Sequence, residues 1–147
     1  MIQRIQTVFI FVAALFISSL LKLEFASLIV NDKLYTFSAK GIVSSEEIIY
    51  DGLPLMLFIA LIVLLHLVAI FLYKRRIRQM RLLGFTILLL VGLTGLMFFF
   101  LYTSFDDIKV AFKIPIAFPL IAIILDYLAI RAIGKDEALV RSLDRIR

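Results

Sequence analysis

Apolar residues fall into four long runs separated by polar stretches, each run close to the roughly 20 residues an α-helix needs to cross hydrocarbon. The first, "QTVFIFVAALFISSLL", covers 6–21. The second, "LPLMLFIALIVLLHLVAIFLY", covers 53–73 and carries Pro54 in its first turn, where a missing N–H costs least. The third, "LLGFTILLLVGLTGLMFFFLY", covers 82–102, and the fourth, "IPIAFPLIAIILDYLAIRAI", covers 114–133. The pattern predicts an all-α membrane protein of four transmembrane helices, with residues 1–147 forming a single domain. The first run has the outline of a secretory leader, with Arg4 ahead of an apolar stretch. The following "SSLLKLEF" supplies no small-x-small cleavage site, so the run is read as a retained span.

Between the runs the pattern changes. In the outer loop, 22–52, "FASLIV" and "LYTFSA" flank "NDK": two β-prone runs around an Asn-Asp turn signal, which predict a short β-hairpin. Such a hairpin is too small to stand alone, so it is expected to plug the outer end of the bundle. The segment "SSEEIIYDG" has Ser44 and Glu47 at capping-box spacing and predicts a helical turn. In the tail, 134–147, Gly134 reads as a helix stop. Beyond it, Leu139, Val140, Leu143 and Ile146 recur at helical spacing opposite a basic side. That is an amphipathic helix for the membrane surface or for a partner.

Composition supports the membrane as solvent: 63% of the 147 residues are hydrophobic, against about 45–50% in ordinary domains, and mean hydropathy is +1.09. The net charge is +5, and its placement sets the orientation. The inner loop, 74–81, is "KRRIRQMR", with Lys74, Arg75, Arg76, Arg78 and Arg81 and no acid. The tail adds Lys135, Arg141, Arg145 and Arg147, whereas the outer loop holds three lysines against five acids. Both basic stretches are cytoplasmic if both termini are cytoplasmic. A run like "KRRIRQMR" also suits nucleic acid. Pinned between two spans, it is read instead as a topology signal touching anionic lipid head groups, with no nucleic-acid partner.

Cysteine is absent, which excludes disulfides, thiolate metal sites and dithiol relays. It also argues against a claudin-like adhesion protein, despite the β-prone outer loop. One histidine does not make a zinc site, and no cofactor or metal is expected. Two ionisable residues, Asp126 and His66, lie deep inside the runs, with Arg131 at the border of the fourth. Asp126 shares a helical stripe with Pro115, Pro119, Ala122 and Ala129, which turns it toward the bundle. His66 shares one with Ile59, Ile62, Ala69 and Tyr73. Helical rise puts His66 about 10 Å and Asp126 about 8 Å from the inner boundary, so they can meet if the second and fourth helices are neighbours. Three roles remain open for Asp126: proton-transport chemistry, a structural brace with His66, or a shallow acid reaching Arg131.

The start "MIQRIQT" and the end "KDEALVRSLDRIR" resemble an uncharacterised family of small four-span inner-membrane proteins from Bacteroidota, a domain of unknown function. The matching residues are Gln3, Arg4 and Gln6, and Lys135, Asp136, Glu137, Arg141, Asp144 and Arg145. The resemblance implies a bacterial cytoplasmic-membrane location and carries no catalytic residue. It directs attention to a cytoplasmic face of Arg4, Arg141, Asp144 and Arg145, with Arg4 expected to pair with Asp144. The expected function is that of a non-enzymatic accessory or partner-binding subunit, engaging a membrane-protein partner or forming a homo-oligomer. The alternative is a small proton-coupled transporter using Asp126 and His66.

Overall fold

The second apolar run does form a helix over its full length, and the elements around it can be placed from there. In the computed structural model of the chain the described residues are 3–30, 33–44, 48–104 and 109–144. The side chains of Gln3, Arg4, Ile48, Arg141, Leu143 and Asp144 lie outside that description. The order is α1 (Gln3–Ser19), β1 (Glu24–Val30), β2 (Lys33–Ser38), β3 (Gly41–Ser44), β4 (Ile48–Asp51), α2 (Leu53–Phe71), α3 (Arg76–Thr103), β5 (Lys109–Phe112) and α4 (Phe118–Asp144). A 3-10 turn, Leu72–Lys74, extends α2, and another, Ile114–Ala117, leads into α4.

The all-α, four-span expectation is overturned. Among the described residues the fold is mixed: four helices and one five-stranded antiparallel sheet of order β4-β3-β2-β1-β5. Three helices are long and apolar enough to cross a membrane: Leu53–Lys74, Arg76–Thr103 and Ile114–Val140. The apolar part of α1, Ile5–Ser19, is shorter. The expected hairpin is present as β1 and β2, with Leu28 opposite Tyr35, but it is only the middle of the sheet. The strands missed have four residues each, too short for alternation to register. β5 also depends on a distant partner, since Val110 pairs with Leu28 across the whole of α2 and α3. The turn expected at "SSEEIIYDG" is not helical where it is described: Ile48–Asp51 is β4, and Glu47 of the capping box lies outside the described residues. The helix begins at Leu53, whose N–H donates to Asp51 Oδ1 at 3.0 Å.

Two further boundaries move. The basic segment is not a loop; Arg75 alone separates the 3-10 turn from α3, so Arg76, Arg78 and Arg81 sit on the first turns of that helix. Nor does α4 stop at Gly134, so no separate amphipathic tail helix exists. Glycine in a helix interior costs about 1 kcal/mol. Here the packing of α4 between α1 and α3 outweighs it, and a Cβ at Gly134 would meet only Met80 Sδ at 3.9 Å.

Neighbour packing runs α1–α4–α3–α2 and back to α1, so α2 and α4 occupy opposite corners. The sheet closes one end. Its inner face buries Phe25, Leu28, Phe37 and Ile42 in the same cluster as Ala13 and Ile17 of α1 and Leu90, Leu93 and Met97 of α3. Phe25 and Phe37 meet edge to face, centroids 5.2 Å apart. Each such side chain contributes about 1.5–3 kcal/mol by leaving water, which fixes sheet to bundle. A smaller cluster, Ile10, Ala69, Leu83, Ala129 and Ile133, fills the opposite end. The outward helix faces carry Phe71, Leu88 and Phe99, all exposed, as lipid-facing surfaces do.

The sheet joins α2 through a tight glycine pair. Gly41 has φ 103°, and a Cβ there would stand 1.9 Å from the Tyr50 carbonyl O; one at Gly52 would stand 2.1 Å from Gly41 N. Gly41→Ala is therefore expected to lower stability by about 1–3 kcal/mol, read as a drop in unfolding midpoint in detergent. An unchanged midpoint would show that this junction is not rigid.

Candidate functional site

Between the two apolar clusters lies one polar layer. Along α2 it follows Ile62 and precedes Ala69; along α3 it lies between Leu83 and Leu90; along α4 it lies between Ala122 and Ala129. Its members are His66, Thr86 and Asp126, each with no solvent exposure. His66 and Asp126 come together as the sequence allowed, but not on neighbouring helices. They reach each other across the diagonal, with Thr86 of the intervening α3 as the third member. The Asp126 carboxylate lies against His66 and Thr86, shut off from solvent.

His66 Nδ1 lies 2.8 Å from the Ile62 carbonyl oxygen of its own helix. A carbonyl only accepts, so Nδ1 carries a hydrogen. The other nitrogen, Nε2, lies 3.2 Å from Asp126 Oδ2, off the line of an aligned hydrogen bond. A neutral ring protonated at Nδ1 would turn a lone pair toward a carboxylate oxygen at that distance. A proton on Nε2 or on Oδ2 is what makes that contact attractive. That matters in a bundle surrounded by lipid, where an uncompensated acid costs about 3 kcal/mol on insertion scales. The Thr86 hydroxyl lies 3.1 Å from Asp126 Oδ2 and 2.7 Å from the Leu83 carbonyl, with one hydrogen to share between them. Asp126 Oδ1 has no hydrogen-bond partner among the described residues. Thr86 went unnoticed in the sequence because a single threonine in an apolar run is common. Its distance along α3 from the α2–α3 turn, comparable to that of His66 along α2, was the available signal.

A second polar cluster joins the two ends of the chain. Gln6 and Asp136, both nearly buried, are bonded, the Gln6 amide donating to Asp136 Oδ2. Arg76 donates to the Asp136 carbonyl at 3.3 Å and lies 3.9 Å from Glu137 Oε2. Buried Gln79 donates to the Ala69 carbonyl at 3.0 Å, near the end of α2. The α1 start, the α2–α3 turn and the α4 end thus share one end of the bundle. The Arg4–Asp144 pairing expected there, like the side chain of Arg141 and all of Arg145, lies outside the described residues. Lys74, Arg75, Arg76 and Arg78 line a cavity of about 620 Å³ at this end, and exposed Arg81 does not.

At the other end, a groove of about 850 Å³ opens on the face of the sheet turned away from the bundle core. Leu34, Thr36 and Ser38 line it, alternating along β2 with Tyr35 and Phe37 of the inner face. Lys22, Lys33 and Lys40 enter it, and among the described residues none of them forms an ion pair. The one acid in its wall, Glu24, is paired with Lys113 instead. Among the described residues the groove is therefore positive; Asp32, Glu46 and Glu47 of the same loop lie outside them. Spacing along the chain did not bring Lys22, Lys33 and Lys40 together, because strand register decides which charges share a face. Among the described residues no three His, Asp or Glu side chains converge as a metal site would require.

A sheet-capped bundle with three helices of crossing length, apolar outward faces and its ionisable pair shut inside is a membrane protein. The chain belongs to the family described as a domain of unknown function (DUF4293), whose match spans residues 2–146. No curated protein and no solved structure matches it.

The geometry of the polar layer sets a double-mutant test. His66→Leu or Asp126→Leu alone strands a buried partner and is expected to cost about 3 kcal/mol, measured by denaturant unfolding in micelles. The double replacement should cost clearly less than the sum of the two. Strictly additive losses would mean that the contact holds nothing together.

Proposed function

We propose that the protein is a non-enzymatic accessory subunit of a bacterial cytoplasmic membrane, whose sheet groove receives an acidic segment of a membrane-protein partner. The single observation carrying this reading is where the accessible concave surface lies. The polar layer is closed and touches neither the groove nor the basic cavity, so it serves as a brace that fixes the bundle. The groove is open, outside the bundle and lined by three lysines that have no acid partner among the described residues. Charge complementarity selects an acidic occupant.

The cytoplasmic orientation of the basic end follows the bias of Lys and Arg toward that side. It is supported by the contact of Gln6 with Asp136, which brings the first and last helices to the same end as Arg75 and Arg78. The Bacteroidota origin rests on the resemblance of the terminal segments. A second reading, a small proton-coupled carrier, is favoured by the contact of His66 Nε2 with Asp126 Oδ2 at 3.2 Å. It requires the bundle to open, since both groups are sealed from solvent.

The test is affinity capture of the full chain, tagged at the C-terminus, from its native membrane in mild detergent. The expected result is one stoichiometric partner with an acidic segment on the sheet side, lost when Lys22→Glu, Lys33→Glu and Lys40→Glu are combined. Capture unchanged by those substitutions would remove the groove from the interface. Recovery of the protein alone as a defined oligomer would shift weight to the carrier, for which Asp126→Asn should abolish pH-dependent transport without affecting insertion.

A further inference from the structure

We propose that the cavity at the basic end is a headgroup site for an anionic phospholipid, with the phosphate held between the α2–α3 turn and α4. The inference rests on the membrane reading and is independent of the accessory role. Four cations, Lys74, Arg75, Arg76 and Arg78, line the cavity against one acid, Glu137. These charges are not equivalent. Arg76 is anchored by the Asp136 carbonyl and Glu137 and forms a fixed wall. Lys74, Arg75 and Arg78 have no acid partner among the described residues, so their charge faces the cavity and its mouth uncompensated. Guanidinium forks match phosphate oxygens in pairs, and the Lys74 ammonium, 5.8 Å from the Tyr73 ring centroid, adds a point charge beside them.

Two features select a lipid over a soluble phosphate. The wall is amphiphilic, since Tyr73, Ile77 and Val140 stand among the cations. Exposed Leu64, Leu67 and Phe71 then run along α2 away from the cavity, and Phe71 is 79% exposed. Acyl chains can lie along that stripe while the phosphate sits where the crossing helix Leu53–Lys74 ends, the depth at which headgroups are found. Basic pockets at helix ends on the cytoplasmic side are a recurrent solution for anionic lipid. Here α4 supplies the second wall because it continues past Gly134 to reach Glu137 and Val140.

The experiment is native mass spectrometry of the full chain released from phosphatidylcholine nanodiscs containing phosphatidylglycerol. Wild-type protein should retain phosphatidylglycerol in preference to phosphatidylcholine. Arg75→Gln or Arg78→Gln should each weaken retention about fivefold, and the two together about twenty-five-fold. Arg81→Gln removes the same charge from the same helix end but lies outside the cavity and should change little. Circular dichroism and the unfolding midpoint of each variant confirm that the fold is kept. Equal losses from Arg81→Gln and Arg78→Gln would overturn the site in favour of diffuse surface attraction. Displacement of the lipid by an equal concentration of inorganic phosphate would overturn the lipid as occupant. Retention unchanged in the double variant would overturn the assignment of the cations.

Discussion

An acid placed in hydrocarbon has to shed its charge or share it, and the interior of this protein is arranged around that requirement. Asp126 is on α4, and the group that can neutralise it, His66, is on α2 at the opposite corner of the bundle. For them to approach, the side chains between the helices must be small or absent at that level, and the helices must hold one rotation and one height. Ala122 and Ala129 flank the acid, and Ala69 follows the histidine by less than one turn, which gives the room. The Ile62 carbonyl fixes the ring, and Thr86 fixes the acid from α3. A shift of one helix by a single residue would part the pair and strand two ionisable groups in a medium that cannot solvate them. Apolar packing alone tolerates such sliding far better, so the polar layer supplies the register on which both apolar clusters depend.

From that fixed level the two ends diverge in character. Toward one side the helices deliver their ends to a five-stranded sheet, whose inner face completes the larger apolar cluster. The sheet is assembled from two separate stretches of chain, because α3 returns β5 to the side of β1. Its outer face is free to carry polar groups and a concave surface. Toward the other side the helix ends are tied by backbone-directed bonds from Gln79 and Arg76 and by Gln6 with Asp136. These bonds leave Arg75 and Arg78 without an acid partner among the described residues, and these two stand on the positive rim of the basic cavity. Surface ion pairs add little in either place; Arg76 with Glu137 and Lys113 with Glu24 are partly exposed and well screened.

Much of this was legible in the residues, for reasons of length and solvent. A run of about 20 apolar residues has few fates other than crossing a membrane. Both ends of α2 and the end of α3 could therefore be placed within two residues, while α3 starts six residues early. The inward faces were also readable: the stripe of Ile59, Ile62, His66 and Ala69 is buried as its spacing implied. So is Ala122 with Asp126 and Ala129. Tyr73 belonged to the same arithmetic but lies past the end of α2 in the 3-10 turn, and it is exposed. Two other expectations failed because each relied on a local signal that distant contacts override. Gly134 reads as a stop, and α4 passes through it; "KRRIRQMR" reads as a loop, and α3 begins inside it.

The sequence by itself determined a protein that uses the bilayer as solvent, the identity of its two intramembrane ionisable residues and the end of the bundle that is basic. Those are properties of composition and of one-dimensional spacing. Only the tertiary structure decided that the fold is mixed, that His66 and Asp126 meet across a diagonal with Thr86, and that residues 6 and 136 are bonded. Four-residue strands carry no periodicity of their own and exist only where partners are brought beside them. Charges, likewise, acquire a face and a counter-ion only once register is fixed. That is why Lys22, Lys33 and Lys40, far apart in spacing, share one groove while Glu24 in its wall is held by Lys113.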